Sequence, residues 1–152
     1  MRRLMLASLA LSTAATLAAC ATGPKQTSAE KLAFYRAHAS EPVKSFRYSG
    51  SINGWTPLGD KALTVWTKPS EAYLLELSGP CQDLDFAPAI SITNQMNQVS
   101  AKFDDVVPRG GGTASIIIPC RIETIRPLDV KALRASQKEL REAAAVEREA
   151  KS

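Results

Sequence analysis

The side chains in this sequence that could do chemistry fall into a few small groups. Cys20, Cys81 and Cys120 are its three thiols. A thiol can be a nucleophile, a metal ligand, half of a disulfide or a point of acylation, and its surroundings decide which. Asp83-Leu84-Asp85 and Asp104-Asp105 are the acidic clusters. Carboxylates in number suit calcium, which takes about six to eight oxygens, and a suitably separated pair suits a hydrolase. Neither cluster carries the glycine-spaced pattern of a calcium-binding helix-loop-helix, and turn capping or a solvated face accounts for both. His38 is the single histidine, distant in sequence from these aspartates, and no Gly-x-Ser-x-Gly elbow accompanies it. A Ser-His-Asp triad is therefore not indicated. Arg109-Gly110-Gly111-Gly112-Thr113 lacks the Lys-Ser/Thr ending of a phosphate loop and reads as a hairpin connection.

The thiols are sorted by the N-terminal segment. Arg2 and Arg3 precede an apolar run from Leu4 to Leu17, broken only by small hydroxyl residues. That run is about 14 residues long, short of the roughly 20 that span a bilayer, so it reads as the apolar region of an export signal. It closes on Leu17-Ala18-Ala19-Cys20. This stretch resembles a bacterial lipobox, in which the cysteine thiol receives a diacylglyceryl group and cleavage falls just before it. The resemblance implies removal of residues 1–19 and a mature chain that starts at acylated Cys20, palmitate being a typical acyl group. Ala21 stands where Asp favours inner-membrane retention, so the resemblance implies outer-membrane sorting, with the domain facing the periplasm. Each buried CH₂ contributes about 0.8 kcal/mol, which makes two or three acyl chains a lasting anchor. With Cys20 assigned to lipid, Cys81 and Cys120 remain as an even pair in an oxidising compartment, and a Cys81–Cys120 disulfide is expected. Two cysteines without a nearby histidine are too few for a structural zinc site.

The elements that must position these residues follow from periodicity. Residues 20–28 are polar, include Gly23-Pro24, and read as a tether. Residues 29–40 read as a short helix with Ser28 as its N-cap, ended by Pro42. From 43 to 128 the pattern changes to period two. Ser45 to Gly50, Leu63 to Thr67, Ala72 to Leu77, Ile90 to Thr93 and Val99 to Phe103 are candidate strands, with a polar turn around Asn94 to Gln98. Lys68-Pro69-Ser70 between the second and third suggests a hairpin. In the last apolar run Ile116, Ile118, Cys120 and Ile122 share one face, and Cys81 continues the parity of Tyr73, Leu75 and Leu77. Both cysteines therefore stand in line with core residues. Residues 129–152 form a charged helix or tail with Lys138 and Glu142 at four-residue spacing and a thin stripe of Val130, Leu133, Gln137, Leu140 and Ala144. The expected fold is mainly β (α+β), a small antiparallel barrel or sandwich of five or six strands flanked by those two helices.

Composition narrows the partners. The chain has 152 residues, 45% of them hydrophobic, enough for one domain with a real core. Its formal charge of +4 falls to +2 without Arg2 and Arg3, as 17 basic against 15 acidic residues, and points to no nucleic-acid partner. Tyr48, Trp55 and Trp66 are the candidate aromatic binding surface, although core filling is the commoner fate of such residues and of Tyr73. The ordered pieces Ile52-Asn53-Gly54-Trp55, Ala72-Tyr73-Leu74-Leu75-Glu76-Leu77, Cys81-Gln82-Asp83-Leu84 and Cys120-Arg121-Ile122-Glu123-Thr124-Ile125 resemble an uncharacterised family of small proteobacterial lipoproteins with one cysteine pair. The resemblance spans residues 43–128 and implies an exported β-rich domain without supplying an activity. The combined expectation is a lipid-anchored envelope protein with a non-enzymatic binding or structural role and no cofactor or metal, attached to membrane and meeting an envelope protein or the cell wall. The alternative is a periplasm-facing hydrolase or a small-ligand or metal binder using Asp83, Asp85 or Asp104.

Overall fold

The computed structural model describes residues 26–110 and 117–150. Cys20, the export segment, Ile116 and Gly111 to Thr113 lie outside these residues. The fold is mainly β, with a helix on each side of the strands in sequence. Helix α1 spans Ser28–Ala37. Strands β1 (Ser45–Arg47), β2 (Gly54–Pro57), β3 (Ala62–Lys68), β4 (Glu71–Leu77), β5 (Ala89–Ile92), β6 (Gln98–Ser100), β7 (Asp105–Arg109) and β8 (Cys120–Pro127) follow, and then α2 (Val130–Ala150). A curled six-stranded sheet runs in the order β2-β3-β4-β8-β7-β5, and β1 pairs with β6 in a separate two-stranded ribbon. Every strand pairing is antiparallel.

Among the described residues eight strands stand where the periodicity marks five or six, because β2 and β7 carry residues that read as turns. Gly54 and Pro57 bound β2, which is an edge strand, where a missing backbone donor costs no ladder bond. In β7, Pro108 faces edge strand β5 and the Asp105 side chain is paired with Arg121. The last apolar run is also displaced. Strand β8 starts at Cys120, and Ile117 and Ile118 are more than half exposed rather than in the core. Pro119 precedes the first ladder residue, so pairing begins only after it.

The sheet is buried on both faces. Leu63, Val65, Leu75 and Leu77 point into the main core with Phe46, Val99, Val106, Ile122 and Ile125. The alternate residues Ala62, Ala72 and Leu74 form a second cluster with Leu58, Leu128 and Val130, covered by Leu32 and Tyr35 of α1. A ten-residue helix is too short to persist alone, so α1 exists because it covers this second face. Its capping box is Thr27 with Glu30, one residue before the Ser28 expected, because only Thr27 has an acidic residue three positions on. At Gly59, φ is +99° and a Cβ would stand 3.2 Å from that of Ser28, so glycine there admits the start of α1.

Strand β8 supplies Cys120, Ile122 and Ile125 to the main core. Opposite β4 its register runs Leu75↔Ile125, Glu76↔Thr124 and then Leu77↔Ile122, so Glu123 is an inserted bulge residue. The bulge resets the alternation, and Ile122 and Ile125, three apart, are both fully buried. On its other edge β8 pairs with β7 at Cys120 and Arg121, then accepts from Lys102 N (2.7 Å to Ile122 O) and Val43 N (2.8 Å to Ile125 O), which draws the β1–β6 ribbon alongside. The Cys81–Cys120 disulfide pins its first residue, with Cα atoms 5.6 Å apart and both cysteines buried. Closing a loop of this length contributes about 4 kcal/mol on the chain-entropy account.

Helix α2 is capped by Asp129, whose Oδ1 accepts from Ala132 N at 3.0 Å. Val130 and Leu133 are its buried residues. His38 locks it to α1: Nδ1–H donates to Phe34 O (2.8 Å), and Nε2 is hydrogen-bonded to Ser136 Oγ (3.0 Å). Residues 138–150 are all exposed, so the stripe through Leu140 and Ala144 is not covered by the described residues.

Glu76 ties α1 to the sheet. Its carboxylate accepts from Arg36 Nε (2.9 Å) and Thr124 Oγ1 (3.1 Å) and pairs with Arg126 (3.5 Å). Burial opposes its ionisation, but the Arg36 and Thr124 bonds and the charges of Arg36 and Arg126 outweigh that and hold its pKa below the ordinary value. A lowered folded-state pKa gives stability that is present above the unfolded-state pKa and lost as pH falls through the folded one. Glu76→Gln should therefore lower the urea midpoint at neutral pH and lose less on acidification from about pH 5 to about pH 3 than wild type. Parallel losses in the two proteins would contradict this role.

Candidate functional site

A polar cleft of about 640 Å³ lies between the β1–β6 ribbon and the turn end of the β3–β4 hairpin. Its floor is a ring stack of Phe46 on Tyr73, centroids 4.4 Å apart and planes 18° from parallel. The hairpin register shifts between Trp66 and Lys68, a bulge that turns Thr67 and Lys68 toward Glu71 across the turn. The Glu71 carboxylate accepts from Thr67 Oγ1 (2.6 Å), Lys68 Nζ (3.0 Å) and Tyr73 Oη (3.3 Å). The Thr67 bond first, then that of Lys68, holds Glu71 below the usual carboxylate range. Burial first, then the neighbouring Glu71 charge, pushes Tyr73 up. Tyr73 thus stays a phenol that donates, and Glu71 has its acceptor capacity in use.

The opposite rim comes from the ribbon. Arg47 lines the cleft from β1, and among the described residues its side chain has no hydrogen bond or ion pair. Met96 and Asn97 reach it from the turn before β6, and Met96 is fully exposed. Charge on the lining side chains is Arg47 and Lys68 against Glu71, one positive charge in excess. Among the described lining residues there is no histidine or thiol. The arrangement suits binding and offers no activated nucleophile.

The residues singled out by type and spacing have other surroundings. Asp104 is buried, 4% exposed, and accepts from Ser100 N (2.7 Å) and Thr93 Oγ1 (2.9 Å), holding the turn between β6 and β7. Asp105 pairs with Arg121 at 2.7 Å. Asp83, at φ 63°, and exposed Asp85 belong to the short helical turn Leu84–Phe86 beside the disulfide, on a hollow of about 380 Å³. Among the described residues no three His, Cys, Asp or Glu side chains are grouped to hold a metal ion. Tyr48 is in the main core and also lines the cleft, and Trp55 packs against that core, whereas Trp66 belongs to the second cluster with Arg134 5.7 Å above its ring. The three aromatics therefore do not share one surface. Arg47, Lys68, Glu71 and Met96 are the cleft residues that the sequence reading passed over. The Lys68-Pro69-Ser70-Glu71 turn was legible, but its apposition to β1 is a tertiary contact that no local pattern encodes.

Fold and site together define a small disulfide-linked β domain with a polar, cationic cleft. The chain belongs to a family of unknown function, DUF6491, whose pattern matches residues 1–144. The match takes in α1 and most of α2, which the resemblance read from the sequence left outside. No curated protein and no solved structure matches the chain.

Asp104→Ala would leave Ser100 N–H without its acceptor and remove a bond from Thr93. A loss of about 2–3 kcal/mol in urea unfolding is expected. An unchanged midpoint would show that this carboxylate is not a structural one.

Proposed function

We propose that this chain is an exported domain of the bacterial cell envelope, anchored through acyl chains on Cys20 and serving as a non-enzymatic binding or structural module. The observation that carries the reading is the Cys81–Cys120 disulfide, which lies inside the core rather than at an exposed, exchangeable position. Such structural pairs belong to oxidising compartments, since cytosolic thiols are kept reduced. The Leu17-Ala18-Ala19-Cys20 stretch supplies the matching route of export, and the family match includes it. Ala21 favours the outer membrane, with the domain facing the periplasm. A binding role accords with a cleft whose carboxylate and phenol are engaged with each other, and partners in the envelope, protein or cell wall, are the ones within reach of an anchored domain. Asp104, spent on Ser100 and Thr93, gives the hydrolase alternative no support.

Expression of wild type and Cys20→Ala in bacterial cells, with acyl labelling and detergent-phase partitioning, tests the anchor. Wild type should be labelled and enter the detergent phase, and the variant should do neither. A variant that labels and partitions like wild type would overturn the reading.

A further inference from the structure

The turn at Met96-Asn97 is built against its own conformational preference. Gln95 and Gln98 exchange both backbone bonds at 3.0 Å, which leaves Met96 and Asn97 as a two-residue loop with φ of 52° and 58°. Such loops favour Asn or Gly, since a side chain at positive φ crowds the backbone. Methionine at the first position is both strained and, at 100% exposure, wholly in water. Strain kept at a surface position marks a candidate contact. Met96 overhangs the cleft that also holds Arg47, whose side chain has no hydrogen bond or ion pair among the described residues, while Lys68 is paired with Glu71.

From this juxtaposition we infer that the cleft binds a carboxylate that carries an apolar neighbour, the anion going to Arg47 and the apolar group lying between Met96 and the Phe46–Tyr73 stack. Arg47 can take a carboxylate through two parallel N–H bonds. Tyr73 cannot supply the anion site, because its hydroxyl already donates to Glu71. The thioether of Met96 adapts to alkyl and aromatic groups alike. The chemistry is shared by an acidic side chain within a peptide and by a small free carboxylate. The inference needs no anchor and is tested on the unacylated domain, so its failure would leave the Cys20 reading standing.

The experiment is a titration of the ¹⁵N-labelled domain, residues 21–152, followed by amide shifts, with hexanoate and with the peptide acetyl-Leu-Glu-Leu-amide. Hexanamide and acetyl-Leu-Gln-Leu-amide are the uncharged controls. Saturable shifts at Arg47, Lys68, Tyr73 and Asn97 with either carboxylate, and not with its amide, support the site, and the stronger probe identifies the source. Arg47→Gln should weaken binding by about tenfold. Met96→Asn should raise the thermal midpoint by a few degrees, as strain is relieved, and still weaken binding, a split that a purely structural turn would not give. Equal response to carboxylate and amide, shifts unaffected by Arg47→Gln, or no shift with either carboxylate would overturn the assignment.

Discussion

A strand that must set two isoleucines three residues apart into one core cannot keep strict alternation, and β8 is that strand. Between Cys120 and Pro127 it pairs with β4 along one edge and with β7, the Lys102 region and Val43 along the other. A regular ladder would turn either Ile122 or Ile125 out of the main core to the opposite face of the sheet, beside Glu76 and Thr124, and forfeit roughly 2 kcal/mol of apolar burial. The bulge at Glu123 lets both face the main core and adds the local twist that curls the sheet. The disulfide fixes where β8 starts, and Ser78 N to Arg121 O at 3.0 Å fixes the end of β4 beside it. The β1–β6 ribbon, and with it the cleft, lies alongside because β8 offers Ile122 and Ile125 carbonyls for the segments that flank it.

The helices follow from the second face of the sheet. Ala62, Ala72 and Leu74 alternate with the main-core residues and would present an apolar surface without α1. Helix α1 covers them, and His38, Tyr35 and Gln137 then fasten α2 to α1. Past that junction residues 138–150 are exposed, and the helix there draws on alanine-rich propensity and pairs such as Lys138–Glu142.

Local chemistry was largely legible in the sequence. The β3–β4 hairpin, the turn at Asn94 to Gln98, the pairing of Cys81 with Cys120 and the mainly β class all follow from alternation, turn residues and cysteine arithmetic. Strands β2 and β7 were not legible, because Gly54, Pro57, Asp105 and Pro108 signal turns locally and are admitted by edge position or by pairing with Arg121. The Glu123 bulge was hidden for the same kind of reason: a parity change inside one strand looks like the end of that strand. The cleft was least legible of all. Arg47 and Glu71 line one cleft only because β8 brings the ribbon beside the hairpin, and Tyr48 and Trp66, which looked like one aromatic surface, are separated by the sheet itself.

The functional account joins these physical points to a compartment. A core disulfide would be a liability where thiols are kept reduced, and the proposal of an exported domain rests on it. The most direct measurement is peptide mapping by mass spectrometry under non-reducing conditions, on protein taken from the cells that make it with free thiols blocked at lysis. The account predicts a single linked peptide joining Cys81 to Cys120 and no blocked thiol at either position. Two blocked thiols there, or a disulfide that includes Cys20, would contradict it.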